Sequence, residues 1–278
     1  AAVRPAGPPL PVRLRGFAAA AALPIALQLL YVVCLPFAGG LEPGAVTSFG
    51  YAYLAAAGFV TITAFSLGLV TSVPLARAGP DPALASRHVS SAAWVALALI
   101  AAAAGAFALV GAQLVEAILG SAYGDEVGEE VGRLVVVLSP WMVVSAGVNV
   151  AFPLAFVAGR TRLLPAIGLA ALTLQVPLAW AAAALAGLDG LALALTASTG
   201  FVLAFLLREL GALDAVERGL ARAALTVGLL AATAFLPPAL LLPPVAAAPA
   251  GVLVYAVLLA ALRPSGLRSS WGYLRALR

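Results

Sequence analysis

The sequence predicts an all-α, polytopic membrane protein. The chain of 278 residues is 64% hydrophobic and only 9% charged, with a mean hydropathy of +1.10. Its apolar residues fall into long uninterrupted runs, and its basic residues cluster in the gaps between them. A soluble domain of this size has too little interior to bury so much apolar surface, whereas a bilayer removes the need to bury it.

Eight apolar runs account for most of the chain. Each is close to the roughly 17–25 residues that a helix needs to cross a hydrocarbon core about 30 Å thick. No run alternates with a period of two, so membrane-spanning strands are excluded. We therefore expect about eight transmembrane helices, of which the second is long enough to tilt or bend. The runs cover residues 17–37, 49–76, 91–115, 134–158, 163–186, 190–207, 223–242 and 245–262.

The arginines predict the orientation of these spans. The run 134–158 follows an acidic segment and precedes Arg160 and Arg162, and arginine is retained on the cytoplasmic face. With the N-terminus inside, 14 of the 15 arginines lie inside and only Arg133 lies outside. We expect a multi-pass protein of the cell membrane with both termini in the cytoplasm. Charge leaves open whether the tip of the last two runs reaches the far side, because arginines flank that pair at both ends.

The segments outside the spans divide the chain further. Six spans occupy residues 17–207, and a terminal transmembrane hairpin occupies 223–262. Asp125, Glu126, Glu129 and Glu130 are expected in a solvated acidic loop, since their spacing matches no calcium-binding loop. The remaining segments are a proline-rich cytoplasmic linker at 1–16, for which a signal peptide is the competing interpretation, a cytoplasmic loop at 208–222 and a basic cytoplasmic tail at 263–278.

The sequence offers little for catalysis. It has one histidine, His88, and one cysteine, Cys34, in distant segments, which make neither a metal site nor a nucleophile–base pair. It has no lysine, so the phosphate-binding loop that ends in lysine is excluded. The net charge of +4 comes from arginines between apolar runs and not from a nucleic-acid-binding patch. We expect no enzyme, no cofactor, no metal and no nucleic-acid partner.

Uncharged polar residues are the remaining candidates for a site. The predicted spans contain no Asp, Glu, Arg or His, which argues against an intramembrane proton relay. One interpretation is a weakly polar wall of a substrate cavity, which the many prolines within the spans favour because they bend helices apart. The other is close helix packing with hydrogen bonds between helices. The candidates are Gln28, Tyr51, Thr61, Ser145, Asn149 and Gln175.

Several segments resemble the multidrug/oligosaccharidyl-lipid/polysaccharide (MOP) exporter superfamily. The pair G-A-V-T-S-F-G-Y-A-Y (Gly44–Tyr53) and L-G-L-V-T-S-V-P-L-A (Leu67–Ala76) resembles its seventh and eighth helices. The later order L-V-E-A-I-L-G-S-A-Y, acidic segment, A-G-R-T-R-L-L-P-A-I-G (Ala158–Gly168) and G-L-D-G-L-A-L-A (Gly187–Ala194) is similar to its C-terminal lobe. The segment Leu119–Tyr123 with its acidic sequel is closer to the polysaccharide exporters than to the lipid II flippases.

The resemblance implies two six-helix lobes around a central cavity, with two extra helices in some branches. On this basis we expect residues 17–207 to be the C-terminal lobe, with an N-terminal lobe on the same or another chain. The implied function is flipping of a lipid-linked oligosaccharide or peptidoglycan precursor, with Arg160 and Arg162 meeting lipid head groups at the inner mouth or simply retaining the topology. The cationic residues of the family's first lobe have no counterpart in these spans. The alternatives are a drug/cation antiporter and a scaffold subunit for glycan synthesis.

Overall fold

The computed structural model describes residues 10–65, 82–120 and 126–276, and this part of the chain contains helices and no strand. Seven of the helices are long and apolar enough to span a membrane. The predicted all-α membrane architecture is therefore confirmed. In order, the helices are α1 (Leu10–Gly39), α2 (Ala45–Val60), α3 (Pro82–Leu119), α4 (Glu126–Val137), α5 (Ser139–Val157), α6 (Leu164–Glu209), α7 (Leu213–Leu241), α8 (Pro244–Leu262) and α9 (Ser265–Ala276).

Helix α6 is broken near its middle and folds back on itself. Its 46 residues would measure about 69 Å if straight, more than twice the bilayer core. The helical backbone is interrupted at Ala186 and at Gly187, where φ is 56° and ψ is −133°, a conformation that glycine adopts without penalty. Just beyond it, Gly190 lies so close to the carbonyl oxygen of Ala182 that a Cβ would collide. Residues eight apart in a straight helix are about 12 Å apart, so the chain must reverse here.

The two arms of α6 pack against different helices. In the first arm, residues 164–185, Gly168 lies against Ala26 of α1. In the second arm, residues 188–209, Leu203 lies against Gly147 of α5. A Cβ at either glycine would come within 2.8 Å of its neighbour, and at Gly168 that neighbour is the Cβ of Ala26, which cannot rotate away. The reversal thus places one chain segment between α1 and α5.

Contacts between distant segments define two ends of the bundle. At one end, the guanidinium of Arg133 forms an ion pair with Asp189, and both residues were predicted outside. At the other, the rings of His88 and Tyr273 lie 5.9 Å apart, and both were predicted inside. Four further contacts lie at these two ends. They are Gly111 with Gly132 and Leu41 with Gly187 at the first end, and Ser90 with Gly219 and Trp94 with Gly266 at the second.

The terminal pair α7 and α8 packs on α3 and reaches the end that contains Arg133. The ring of Phe235 in α7 fills the space left by Gly105 of α3 and Gly251 of α8. Pro244, at the tip between α7 and α8, lines a surface depression together with Arg133. The tip therefore lies at the same end of the bundle as the Arg133–Asp189 pair.

The buried apolar residues of the described chain form two clusters. The larger one extends from Leu23 to Val216 through the first six helices and the start of α7. The smaller one joins α3, α7 and α8 around Phe235 and Tyr255. Outside them, large apolar side chains such as Leu185 and Leu241 are about 80% exposed or more. An outer surface of this kind is suited to lipid and not to water.

Four predicted non-membrane segments contain more helix than expected. Helix α1 begins at Leu10, inside the predicted linker 1–16, of which residues 1–9 lie outside the described part. Glu126 and Glu129 lie in the first turn of α4 and not in a loop, because carboxylates stabilise the N-terminal end of a helix. Glu130 follows in the same helix, and Asp125 lies outside the described residues. The predicted loop 208–222 is reduced to residues 210–212, since α7 starts at Leu213. Within the predicted tail 263–278, residues Ser265–Ala276 form α9, and residues 277–278 lie outside the described part.

The second predicted span, 49–76, is described only in part. Helix α2 passes at Thr61 into a π-helical turn that runs to Phe65. Residues 66–81, including the family-like Leu67–Ala76 segment, lie outside the described residues.

The contact between α3 and α4 predicts a size limit at Gly132. A Cβ at Gly132 would lie 2.8 Å from the Cα of Gly111, a backbone atom that cannot rotate away. We expect Gly132→Ala to lower the free energy of unfolding by about 1–3 kcal/mol through overpacking. Gly228→Ala is the matched control, because nothing lies within 4 Å of its Cβ position. Thermal unfolding in detergent measures both, and equal effects would contradict the close approach.

The two ends of the bundle predict the accessibility of introduced cysteines. Glu129→Cys and Val245→Cys are expected to react with an impermeant maleimide from one side of the membrane, and Arg160→Cys from the other. All three positions are exposed, and the wild-type chain is the unlabelled control because its single cysteine, Cys34, is buried. Labelling of Glu129→Cys and Arg160→Cys from the same side would show that the arrangement is wrong.

Candidate functional site

A cavity of about 190 Å³ lies among α1, α2, α5 and the second arm of α6. Its lining residues lie mostly near the middle of helices that are long enough to span a membrane. None of them is Asp, Glu, Arg, Lys or His, so the wall is polar but uncharged. The lining consists of Pro24, Leu27, Gln28, Tyr53, Ala57, Val60, Thr61, Trp141, Ser145, Val148, Asn149, Phe152 and Thr199.

The structure brings four of the six candidate polar residues together here. Gln28 of α1, Thr61 in the π-helical turn after α2, and Ser145 and Asn149 of α5 all line the cavity. Tyr51 does not, and Tyr53 takes its place. Two positions along a helix are about 200° apart around its axis, so these two tyrosines face different ways. The spacing of Tyr53, Ala57 and Thr61 at four-residue intervals was the signal that would have identified the correct face.

Aromatic rings form one side of the cavity. The ring of Tyr53 stacks on Tyr31 with centroids 3.9 Å apart, and Trp141 lies 5.0 Å from it on a tilted plane. The hydroxyl of Tyr53 donates a hydrogen bond of 3.3 Å to Oε1 of Gln28. This bond joins α1 to α2 at the cavity and leaves the Gln28 amide nitrogen as a donor. Tyr53 and Trp141, two aromatic residues of the lining, were not among the candidates predicted from the sequence.

Most other polar groups of the wall already use their donors within their own helix. Nδ2 of Asn149 donates to the carbonyl of Ser145 at 3.0 Å. The hydroxyls of Thr61 and Thr199 donate to carbonyls four residues earlier, both at 2.8 Å. The two threonines retain acceptor capacity on their hydroxyl oxygens, and Asn149 retains its amide oxygen and a second N–H. Together with the Gln28 amide and the Ser145 hydroxyl, the cavity offers both donors and acceptors to a neutral ligand.

Gln175 lies outside the cavity and connects two helices. Its side chain is fully buried, and Nε2 donates to Sγ of Cys34 at 3.0 Å. The sulfur in turn contacts the carbonyl of Leu30 at 3.4 Å. Gln175 therefore ties the first arm of α6 to α1. This is the packing interpretation that the sequence had left open for the amide side chains.

Arg160 and Arg162 are exposed in the turn between α5 and α6 and do not line the cavity. The turn is closed by Gly159, whose φ is 70°, and by the amide of Arg160, which donates to the carbonyl of Ala155 at 2.9 Å. Neither guanidinium forms an ion pair with an acidic residue of the described chain. Both remain available at the end of the bundle that was predicted to be cytoplasmic.

The fold and the apolar exterior define a multi-pass α-helical membrane protein. Within the described residues, no group of three or more His, Cys, Asp or Glu is arranged to hold a metal ion. Comparison with known proteins matched no family model, no curated protein and no solved structure.

The hydrogen bond between Tyr53 and Gln28 predicts an energetic coupling across the cavity. We expect Tyr53→Phe and Gln28→Leu each to destabilise the protein, and the double variant to cost less than the sum by about 0.5–1.5 kcal/mol. Tyr255→Phe is the matched control, since its buried hydroxyl donates to Ala98 far from Gln28. Its effect should add to that of Gln28→Leu. Additivity in the Tyr53 cycle, measured by unfolding in detergent, would show that the bond contributes nothing.

Proposed function

We propose that this chain forms the cavity-bearing lobe of a membrane flippase. Its substrate would be a lipid-linked oligosaccharide or peptidoglycan precursor, moved from the inner to the outer leaflet by alternating access. One observation carries the proposal: uncharged polar side chains from four helices converge, with two aromatic rings, on one cavity within the membrane-spanning segments. Such a pocket presents hydrogen-bonding groups to a ligand or to water in an otherwise apolar part of the bundle.

The chemistry of the wall fits a saccharide head group. Sugar hydroxyls both donate and accept hydrogen bonds, as do the amide of Gln28 and the hydroxyl of Ser145. The faces of Tyr53 and Trp141 offer apolar surface for the C–H side of a sugar ring. The wall has no cation for the diphosphate of a lipid-linked precursor and no carboxylate for a cationic drug. The absence of a carboxylate from this wall makes a drug/cation antiporter the weaker alternative.

The exposure of Gln28 supports a second lobe facing this one. Gln28 is exposed although it lies at the middle of the apolar segment Phe17–Gly39. A primary amide that faced hydrocarbon would lose hydrogen bonds to water at a cost of several kcal/mol. Water or another set of helices must therefore cover the Gln28 amide. A central cavity between two lobes would provide such a cover, with the lobes rocking about a binding site at the membrane midplane. We propose that the facing lobe lies on the same chain or on a separate one.

The proposed topology has eight crossings with both termini in the cytoplasm. The two arms of α6 count separately, because each contains about 22 residues and extends about 33 Å, which matches the bilayer core. Arginine retention then puts the turn at Arg160 and Arg162 inside. Retaining the topology is the simpler role for these two residues, and contact with anionic head groups at the inner mouth is the second.

An assay of lipid-linked saccharide transport in cells that require this protein tests the proposal. Depletion should cause the lipid-linked saccharide to accumulate in the inner leaflet. Wild-type protein should restore its appearance outside, whereas Asn149→Leu together with Gln28→Leu should restore about tenfold less, because two polar contacts to the head group are lost. The readout is the fraction of lipid-linked saccharide that an external, impermeant enzyme can reach.

Two threonines provide a matched control for the same assay. Thr61 and Thr173 are both exposed, and each donates its hydroxyl to the carbonyl four residues earlier, at 2.8 and 2.9 Å. Only Thr61 lines the cavity. Thr61→Val should reduce transport and Thr173→Val should not. Full transport by the Asn149/Gln28 double variant, at wild-type abundance, would refute the role of the cavity.

A further inference from the structure

A second concave site borders α3 and is separate from the proposed transport cavity. It is a groove of about 680 Å³ between α3, α8 and α9, within the roughly 300–1,000 Å³ that ligand sites occupy. Its floor is apolar and includes Leu99 and Leu259, and the ring of Trp271 forms one edge. Three arginines complete the lining: Arg263, Arg268 and Arg275.

The three arginines are held at this groove without an anionic partner. Arg263 caps α8 in the left-handed conformation, with φ of 41°, and its Nε donates to the carbonyl of Ala260 at 3.1 Å. The guanidinium of Arg275 lies 5.5 Å from the ring centre of Trp271. None of the three forms an ion pair with a described acidic residue, and residues 263–278 include no Asp or Glu at all. The groove therefore combines an apolar floor with uncompensated positive charge.

Packing of α9 on α3 makes the groove a preformed feature. The indole of Trp94 lies directly against Gly266, where a Cβ would collide. Ser270 is buried, and Tyr273 is buried beneath the guanidinium of Arg87, 5.0 Å from its ring centre. Along α9, Arg268, Trp271 and Arg275 follow at intervals of three and four residues, which places them on one face of the helix. That face borders the groove while the opposite one is fixed to α3.

The position of the groove matches the boundary between hydrocarbon and head groups. The apolar helix α8 ends at Leu262, and arginines and a tryptophan follow at once. Tryptophan and arginine are typical of that boundary, and basic pockets beside spanning helices on the cytoplasmic side bind anionic lipid head groups. The predicted orientation puts this end inside, where the leaflet is negatively charged.

We propose that this groove binds an anionic glycerophospholipid of the inner leaflet. One acyl chain lies on the apolar floor, and the phosphate lies among the three guanidinium groups. Charge complementarity selects this occupant, because a zwitterionic lipid brings its own cation into a site that already holds three. The site is separate from the cavity, so the proposal stands whether or not the chain transports a saccharide.

Lipid binding to the purified full chain tests this assignment. Native mass spectrometry from detergent should show phosphatidylglycerol binding about tenfold more tightly than phosphatidylcholine. The triple variant R263Q/R268Q/R275Q should lose most of that preference. The control R208Q/R218Q/R222Q removes the same charge from arginines predicted on the same side but outside the groove, and it should keep the preference.

A second variant tests the apolar floor of the groove without changing its charge. Leu99→Trp adds bulk to the floor at a half-exposed position and should weaken phosphatidylglycerol binding about tenfold with every arginine in place. It also serves if the triple variant does not fold. Equal binding of the two lipids, or equal losses in the groove and control triples, would overturn the proposal. So would displacement of phosphatidylglycerol by millimolar inorganic phosphate, which would identify a free-phosphate site.

Discussion

The satisfaction of backbone hydrogen bonds in a medium without water is the constraint on which this structure depends. Each N–H and C=O in the bilayer core needs a partner within the protein, and a helix supplies that partner locally. A break in a helix therefore requires another partner for the freed backbone groups. In α6 the break is at Ala186 and Gly187, next to the Arg133–Asp189 pair at one end of the bundle. The chain therefore reverses beside an exposed ion pair and not within the apolar middle of the bundle.

Close helix packing follows from the same constraint. Apolar side chains gain little from leaving lipid for a protein interior, so association relies on contact between complementary surfaces. Glycines supply these surfaces at Gly111–Gly132 and between Gly105, Phe235 and Gly251. In each case a backbone or an aromatic ring fills the space that a side chain would occupy. The cavity is the exception, because α1, α2, α5 and α6 leave space between them, and polar side chains line that space.

Sequence patterns predicted the helical class, most span positions and the grouping of segments at two ends, because run length and arginine position are direct consequences of the bilayer. They did not predict where helices begin. Glu126 and Leu213 lie in charged segments that looked like loops, but a helix outside the hydrocarbon tolerates charge as well as a loop does. The cavity was predicted in part. Ser145 and Asn149 lie four residues apart, on one face of their helix, and both line the cavity. Tyr51 was predicted and does not line it, because the rotation of α2 is set by its neighbours.

The cavity contains uncharged polar side chains, whereas the groove contains charged ones. This difference limits which ligands each region can bind. The cavity has hydrogen-bonding groups but no charge, so its contacts to any ligand are limited to hydrogen bonds and apolar contacts. The groove beside α9 has three arginines, whose charge strengthens binding to an anionic leaflet. A lipid held there would fix α9 against the ends of α3 and α8. Because α3 also contacts the cavity-forming helix α5, occupancy of the groove would restrain the helix that joins the terminal pair to the rest of the bundle.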